Sequence, residues 1–203
     1  ALYRRDMEPQ TLSRILTGGE EALPAPAPPE RCGPPLLELS GLCLQEAGAA
    51  LNFVLYPGEV CALIPPQQTS VEELGYTLFG LRRPASGHYY MEGRRADFRS
   101  PREAIRHGVA LIPNDLEAAL FRGFDLKGNL LFPYIAAGNS LHLIRNKFSR
   151  VAAEALRESY GIQEQSTARW GGGKNLRISS LHRISIARWE PLGPKLYIFI
   201  NPF

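Results

Sequence analysis

This chain of 203 residues lacks long apolar runs, paired cysteines and a large excess of charge of one sign. The longest apolar stretches, such as residues 196–200, are far shorter than the roughly 20 residues that cross a bilayer. The first residues also lack the basic and apolar progression of a signal peptide. We therefore expect neither a membrane-spanning helix nor a signal peptide.

The scarce cysteines and the balanced charge exclude further classes. Cys32, Cys43 and Cys61 are odd in number and have no CxxC spacing, which disfavours a disulfide framework or a zinc site and indicates a reducing compartment. The four histidines are scattered without metal-ligand spacing, so no metal site is expected. The 23 basic and 20 acidic residues leave a net charge of +3, which does not indicate a nucleic-acid partner.

What the chain does contain is typical of a globular domain preceded by a linker. It is 44% hydrophobic and 21% charged, enough apolar residue to form a core. Prolines cluster within residues 21–35, which predicts an extended linker. Residues 1–20 have too little apolar surface to fold alone and are interpreted as the tail of an upstream domain. Residues 36–203 are then the folded domain.

The domain alternates strand-like and helix-like patterns. Two helix starts have the capping-box spacing, Ser70 with Glu73 and Ser100 with Glu103, and the second is followed by Pro101 at the first helical position. Strands are predicted at residues 36–44, 51–55, 60–64, 109–112 and 196–200, and further helices near residues 148–156 and 181–189. This alternation predicts an α/β fold with a sheet that is at least partly parallel.

One segment has the layout of a phosphate-binding loop without its chemistry. A predicted strand at residues 60–64, a short loop and a helix from Ser70 follow one another. Such a loop needs glycines that turn backbone amides toward phosphate, a lysine for the β and γ phosphates, and a Ser or Thr for magnesium. Residues 65–69 have no glycine and no lysine.

An ordered series of short segments carries a family resemblance. The segments are residues 37–42, Pro57-Gly58-Glu59-Val60, Leu78-Phe79-Gly80, Ser86-Gly87 with Glu92-Gly93, Ser100-Pro101-Arg102, residues 109–113, Gly128-Asn129-Leu130 and Ala187-Arg188-Trp189. Over residues 36–203 the chain resembles the ATP-binding subunits of ABC importers for simple sugars and nucleosides, specifically the second of their two tandem cassettes. The resemblance implies an α/β, P-loop NTPase-like cassette with a mixed sheet and a helical subdomain, truncated at its C-terminus. Residues 1–20 and 21–35 then correspond to the end of the first cassette and the inter-cassette linker.

The resemblance also implies where nucleotide-binding residues should lie, beginning with the phosphate loop. The family's loop glycines correspond to Pro65, Gln68 and Ser70. Its lysine corresponds to Val71, and its magnesium-binding Ser or Thr corresponds to Glu72. None of these residues supplies the family's chemistry.

The remaining family positions are altered as well. The loop between the subdomains, which carries Gln or Glu in the family, corresponds to Asn114. The last two residues of the Leu-Ser-Gly-Gly signature correspond to Ile178 and Ser179. The magnesium-organising Asp and the base-like Glu correspond to Ile200 and Asn201. No catalytic residue and no metal ligand is therefore expected.

The function that the resemblance implies is a structural one within an ATPase family. The cassette would pair with an active cassette, upstream in the same chain or in a homologous subunit, which holds ATP and magnesium. It would dock on transmembrane permease subunits near residues 111–130, at the cytoplasmic face of the plasma membrane, and support ATP-driven uptake of a sugar or nucleoside. Two alternatives remain open: an ABC ATPase that binds and hydrolyses ATP with unusual residues, and a regulatory module without a transport role.

The first prediction concerns the cap at the altered phosphate loop. In a capping box the Ser70 hydroxyl accepts a hydrogen bond from the helix and Glu73 reaches back, which satisfies amides that phosphate otherwise binds. We expect Ser70→Ala to lower the free energy of unfolding by roughly 0.5–2 kcal/mol, with no rescue by millimolar Mg·ATP. Thermal unfolding of both proteins with and without nucleotide measures this. A midpoint that rises with Mg·ATP, or one that is equal in both proteins, contradicts it.

Overall fold

A computed structural model describes residues 33–46, 48–63, 71–117, 119–121, 123–137, 146–163 and 178–201. These residues belong to one compact unit, Cys32–Phe203. Their strands are β1 Leu37–Cys43, β2 Leu51–Leu55, β3 Ser86–Met91, β4 Arg94–Arg95, β5 Val109–Ile112 and β6 Leu196–Phe199. Their α-helices are α1 Val71–Leu78, α2 Pro101–Arg106, α3 Leu126–Ala136, α4 Asn146–Ser159 and α5 Ile178–Ala187. Only residues 33–35 of the predicted tail and linker are described, so that division stays a prediction.

The strands form two sheets. The larger sheet is antiparallel, in the order β2-β1-β3-β4, with Leu37 of β1 opposite Leu55 of β2 and Met91 of β3. The smaller sheet pairs β5 with β6 in parallel, with Val109 opposite Leu196. The parallel pair confirms the predicted partly parallel arrangement, and the antiparallel strands make the fold mixed.

The pattern of buried and exposed side chains along β1 and β5 shows which faces of the two sheets are covered. Leu37 and Leu39 of β1 point into the core while Glu38 between them is exposed, the alternation of a strand with one covered face. All four residues of β5 are buried, as expected for a parallel strand covered on both faces. The apolar run Val109–Ile112 therefore lies in the interior of the domain.

The described residues contain two hydrophobic clusters. The first joins both sheets to α1 and includes Tyr89, whose hydroxyl oxygen accepts a 2.8 Å hydrogen bond from the Phe98 amide. The second is helical and is centred on fully buried Leu130, Ala153 and Ile184 from α3, α4 and α5. The predicted helical subdomain corresponds to this second cluster. No described helix combines the length and apolar character that a membrane span requires.

The predicted cap of α2 is confirmed with one difference. The Ser100 hydroxyl accepts a 3.3 Å hydrogen bond from the Glu103 amide, and Pro101 begins the helix. Glu103 Oε2 accepts a 2.9 Å hydrogen bond from the amide of Arg99, one residue before the position that a capping box uses. For α1, Ser70 lies outside the described residues, so its cap stays a prediction.

The predicted strand at residues 60–64 is wrong over its described part. Residues 60–63 belong to no strand, Val60 is 98% exposed and Leu63 is 43% exposed. A strand needs a neighbour for its backbone hydrogen bonds, and residues 60–63 pair with none of the described strands. Apolar composition alone does not supply such a neighbour.

The second prediction uses two glycines with left-handed backbone. Gly87 has φ +78° and a Cβ there would collide with the backbone oxygen of Gly41, whereas Gly93 has φ +73° and open space around it. We expect Gly93→Ala to cost roughly 1–2 kcal/mol from backbone strain alone. Gly87→Ala should cost roughly 2–5 kcal/mol, because a steric clash adds to the strain. Urea unfolding measures both, and equal losses would show that β1 and β3 relax around the new methyl group.

Candidate functional site

The start of α1 and the end of β6 meet directly. Glu72 lies in the first turn of α1, and Asn201 follows β6 in a left-handed conformation with φ +44°. Asn201 Nδ2 donates a 2.9 Å hydrogen bond to Glu72 Oε1. The structure thus brings together two residues that the sequence analysis assigns to the magnesium ligand and the base-like position.

A close hydrocarbon contact lies beside this hydrogen bond. Ile200 is 5% exposed, and a Cβ built on Gly75 of α1 would lie 3.1 Å from Ile200 Cδ1 and 3.2 Å from Ile198 Cγ2. The absence of a side chain at Gly75 lets α1 approach β6 this closely. The position assigned to a magnesium-organising carboxylate is therefore filled by a packed aliphatic side chain.

Asn114 lies at the same edge of the small sheet. It follows the end of β5 by two residues and is exposed, and the Ile200 amide donates a 2.9 Å hydrogen bond to the Ile112 carbonyl. Because β5 and β6 are parallel, their carboxyl ends lie side by side. This edge is where α/β proteins commonly bind ligands.

The other predicted site residues are described in part or not at all. Pro65, Gln68 and Ser70 lie outside the described residues. Val71 begins α1, and Ile178 and Ser179 begin α5, but the side chains of all three lie outside the described part of the chain.

The two carboxylates at the start of α1, Glu72 and Glu73, interact with nearby side chains of the same chain. Glu73 Oε2 accepts a 2.9 Å hydrogen bond from Gln45 Nε2, and Glu73 Oε1 lies 3.9 Å from Arg82 Nη1. Both carboxylates also interact favourably with the positive end of the helix dipole. Glu72 could contribute an oxygen to a metal, but Ile200 adds none, and a carboxylate here repels phosphate. These residues do not fit a magnesium–phosphate group.

A second candidate site is a cavity of about 420 Å³ that lies beside the first hydrophobic cluster and α3. Its walls come from α2, β5, α3 and the end of α5, and include Leu111, Phe132 and Trp189. Trp189 is held edge-to-face against Phe79 at 5.9 Å between ring centroids. The volume lies in the range of about 300–1,000 Å³ that is usual for binding pockets.

Aromatic rings form an exposed patch at this cavity. Phe121 lines it and packs on Phe132 with ring centroids 4.1 Å apart, while Phe124 lies 5.4 Å from Phe121. Phe121 and Phe124 are each 42% exposed. Clustered exposed aromatics beside a cavity are typical of protein interaction surfaces.

Two buried polar side chains hold the loop that carries this patch. Asn129 is fully buried; its Oδ1 accepts a 2.7 Å hydrogen bond from the Phe121 amide and its Nδ2 donates to the Phe121 carbonyl at 3.0 Å. Arg188 Nη1 donates a 2.7 Å hydrogen bond to the Ala119 carbonyl. Residues 119–121 are thereby fixed to α3 and to the end of α5.

Sequence reasoning did not identify Arg188 and Ser185 as site residues. Both line the cavity and are 7% and 2% exposed, and burial lowers the pKa of Arg188 to about 10. The signal in the sequence was a single cation between apolar Ala187 and Trp189, at the end of a helix whose neighbouring residues pack inward.

Comparison with curated proteins finds sugar-importer subunits. The chain is 26% identical over 208 residues to the ribose import ATP-binding protein RbsA 1 of Rhizobium meliloti, covering 97% of this chain and 39% of that protein. It is 34% identical over 87 residues to the arabinose import ATP-binding protein AraG of Azospirillum brasilense, covering 43% of this chain and 17% of that protein. The chain spans about a third of the length of the curated relatives it matches. No family model matches it.

Comparison with solved structures confirms the predicted fold. CbiO1 from Clostridium perfringens, part of the ABC transporter complex cbiONQ, has a TM-score of 0.63 at 18% identity, covering 82% of this chain and 65% of that one. The ABC transporter cassette MJ1267 in its ADP conformation has a TM-score of 0.62 at 16% identity, covering 81% of this chain and 68% of that one. The chain has the ABC ATP-binding cassette fold, and its sequence is similar to sugar-importer subunits. Its assignment as a second cassette stays a prediction.

The third prediction concerns the hydrogen bond between Asn201 and Glu72. Asn201→Asp places two carboxylates at hydrogen-bond distance, so like-charge repulsion replaces the hydrogen bond. We expect a loss of roughly 0.5–1 kcal/mol in unfolding free energy at pH 7. Urea unfolding of the variant and the wild type at pH 7 measures this loss.

The matched control exchanges the two functional groups. In Glu72→Gln/Asn201→Asp, an amide at position 72 donates to a carboxylate at position 201, so stability should return to within roughly 0.5 kcal/mol of the wild type. If Asn201→Asp and the double variant lose the same unfolding free energy at pH 7, the contact between the two side chains does not contribute to stability.

Proposed function

We propose that this chain is a non-catalytic cassette of an ABC importer ATPase subunit that supports uptake of a sugar or a nucleoside. It pairs with an active cassette that holds Mg·ATP and docks on transmembrane permease subunits at the cytoplasmic face of the membrane. The cassette fold and the similarity to ribose and arabinose import proteins support the importer role.

The contact between Asn201 and Glu72, beside buried Ile200, carries the non-catalytic part of the proposal. Hydrolysis needs a group that orders magnesium and a group that positions the attacking water. Ile200 has no polar atom for the first task, and the Asn201 amide has no basic site for the second. Its Nδ2 is already donating to Glu72.

The charge at the start of α1 also disfavours nucleotide binding there. Val71 offers no cation, Pro65 has no amide hydrogen, and Glu72 is negative. At an effective dielectric constant of 20, two like unit charges about 4 Å apart repel by roughly 4 kcal/mol. A micromolar site has about 8 kcal/mol of binding free energy, so one such repulsion removes about half of it.

The cavity and its aromatic rim support docking. The predicted docking region, residues 111–130, contains Leu111, Phe121 and Phe124, which line the cavity or form its exposed rim. The loop is fastened by Asn129 and Arg188, so it presents a preformed surface. A preformed surface loses less conformational entropy when a partner binds.

The fourth prediction is that Mg·ATP does not bind this chain at the start of α1. Isothermal calorimetry of the 203-residue chain with up to 1 mM Mg·ATP should show no saturable heat, because no cation at positions 71 and 72 offsets the phosphate charge. Micromolar binding would contradict the proposal if Glu72→Ala changes the affinity 10-fold or more in either direction. It would not do so if Glu158→Ala, a substitution at an exposed residue of α4, has the same effect, because the change is then nonspecific.

A further inference from the structure

The excess positive charge of the chain is concentrated in one segment. Residues 94–107 contain five of the 23 basic residues and two of the 20 acidic residues, so the rest of the chain has 18 of each sign. The segment runs from β4 through α2 and is described throughout. The net charge of +3 is therefore a local property of residues 94–107, which we call the basic segment.

Three arginines of the basic segment are exposed and form no ion pair with a described carboxylate. Arg99 lies just before the N-cap of α2, and Arg102 and Arg106 lie one turn apart on the same face of that helix. The ion pairs among described residues include none of the three. Arg106 Nε donates a 3.4 Å hydrogen bond to the Ala137 carbonyl, which holds the side chain but does not neutralise its charge.

Both carboxylates of the basic segment already have other partners. Asp97 Oδ2 accepts a hydrogen bond from Arg95 Nε and lies 3.4 Å from His88 Nδ1. Glu103 Oε2 accepts a 2.9 Å hydrogen bond from the backbone amide of Arg99. The three exposed guanidinium groups can therefore pair with an external anion without first breaking an ion pair to a described residue.

The basic segment adjoins the proposed docking surface. Arg102 lines the cavity together with Phe121 and Phe132, so docking there would hold the segment next to the membrane that carries the permease. Guanidinium groups bind phosphate in a bidentate arrangement, and phosphate is the common anion of phospholipid headgroups. Phe98, the one Phe, Tyr or Trp of the segment, is 5% exposed, so it offers no stacking surface for nucleic-acid bases.

We propose that the basic segment binds anionic phospholipid headgroups of the membrane on which the cassette docks, through Arg99, Arg102 and Arg106. This inference rests on the proposed docking function and adds a second, lipid contact. Each basic residue near an anionic leaflet strengthens binding roughly fivefold, so three give about 100-fold. That is too weak for stable attachment alone, but it adds to docking on a permease in the same membrane because the two contacts are linked.

Co-sedimentation of the 203-residue chain with lipid vesicles tests the proposal. One set of vesicles is phosphatidylcholine with about 30% phosphatidylglycerol, and the other is phosphatidylcholine alone. At about 50 mM NaCl we expect the anionic vesicles to bind the chain at least about 10-fold more tightly. At about 300 mM NaCl this preference should fall below about threefold, because salt screens exposed charges. Equal binding to both kinds of vesicle at low salt overturns the proposal.

A matched pair of variants shows whether the basic segment is responsible. Arg102→Gln/Arg106→Gln should weaken binding to anionic vesicles at least about 10-fold. The control Arg82→Gln/Arg83→Gln removes two exposed arginines outside the segment and should change it less than about threefold; thermal unfolding checks that both variants are folded. Equal losses in the two variants overturn the proposal, because binding then follows overall charge alone.

A nucleic-acid partner is tested in the same experiment. If poly(U) RNA binds the chain more tightly than the anionic vesicles do, and Arg102→Gln/Arg106→Gln removes that binding, the segment is a nucleic-acid site and the lipid proposal is overturned. The vesicles contain no permease, so failure of the lipid proposal leaves docking on permease subunits intact.

Discussion

Two buried side chains hold the loop between β5 and α3, and the candidate interaction surface depends on them. Asn129 binds both backbone groups of Phe121, and Arg188 binds the Ala119 carbonyl. Residues 119–121 form no helix or strand of their own, so their backbone groups must be satisfied from outside. The aromatic patch thus has a fixed position because a polar network beneath it joins α3 to α5.

The two candidate sites differ in how far their polar groups are satisfied. At the start of α1, Glu72 and Glu73 have found neutral or basic partners within the chain, and Ile200 fills the remaining space. In the cavity, Arg188 and Ser185 retain polar atoms without partners among the described residues. Groups that are internally satisfied gain little from a ligand. The cavity, whose rim carries exposed Phe121 and Phe124, is therefore the better candidate for binding.

Sequence patterns predicted helices and strands correctly where interactions among neighbouring residues determine the conformation. The Ser100 cap and the fully apolar β5 were predicted correctly, because capping and burial on both faces act over a few residues. Residues 60–63 were predicted wrongly, because strand formation depends on a distant partner that composition does not reveal. Arg188 was missed as a site residue for a related reason: its burial results from α3 and residues 119–121, which are more than 50 positions away in sequence.

Family resemblance assigns Glu72 and Asn201 to separate positions of a nucleotide site, and the structure brings the two side chains into contact. Close approach of α1 to β6 requires that Gly75 has no side chain and that Ile200 is aliphatic. An aspartate introduced at position 200 would be buried against α1 within reach of hydrocarbon, with no described cation to pair it, and such a charge is strongly disfavoured. Restoring a single acidic residue would therefore destabilise the junction before it could organise a metal. The packing of this edge and the residue types that occupy it are therefore coupled.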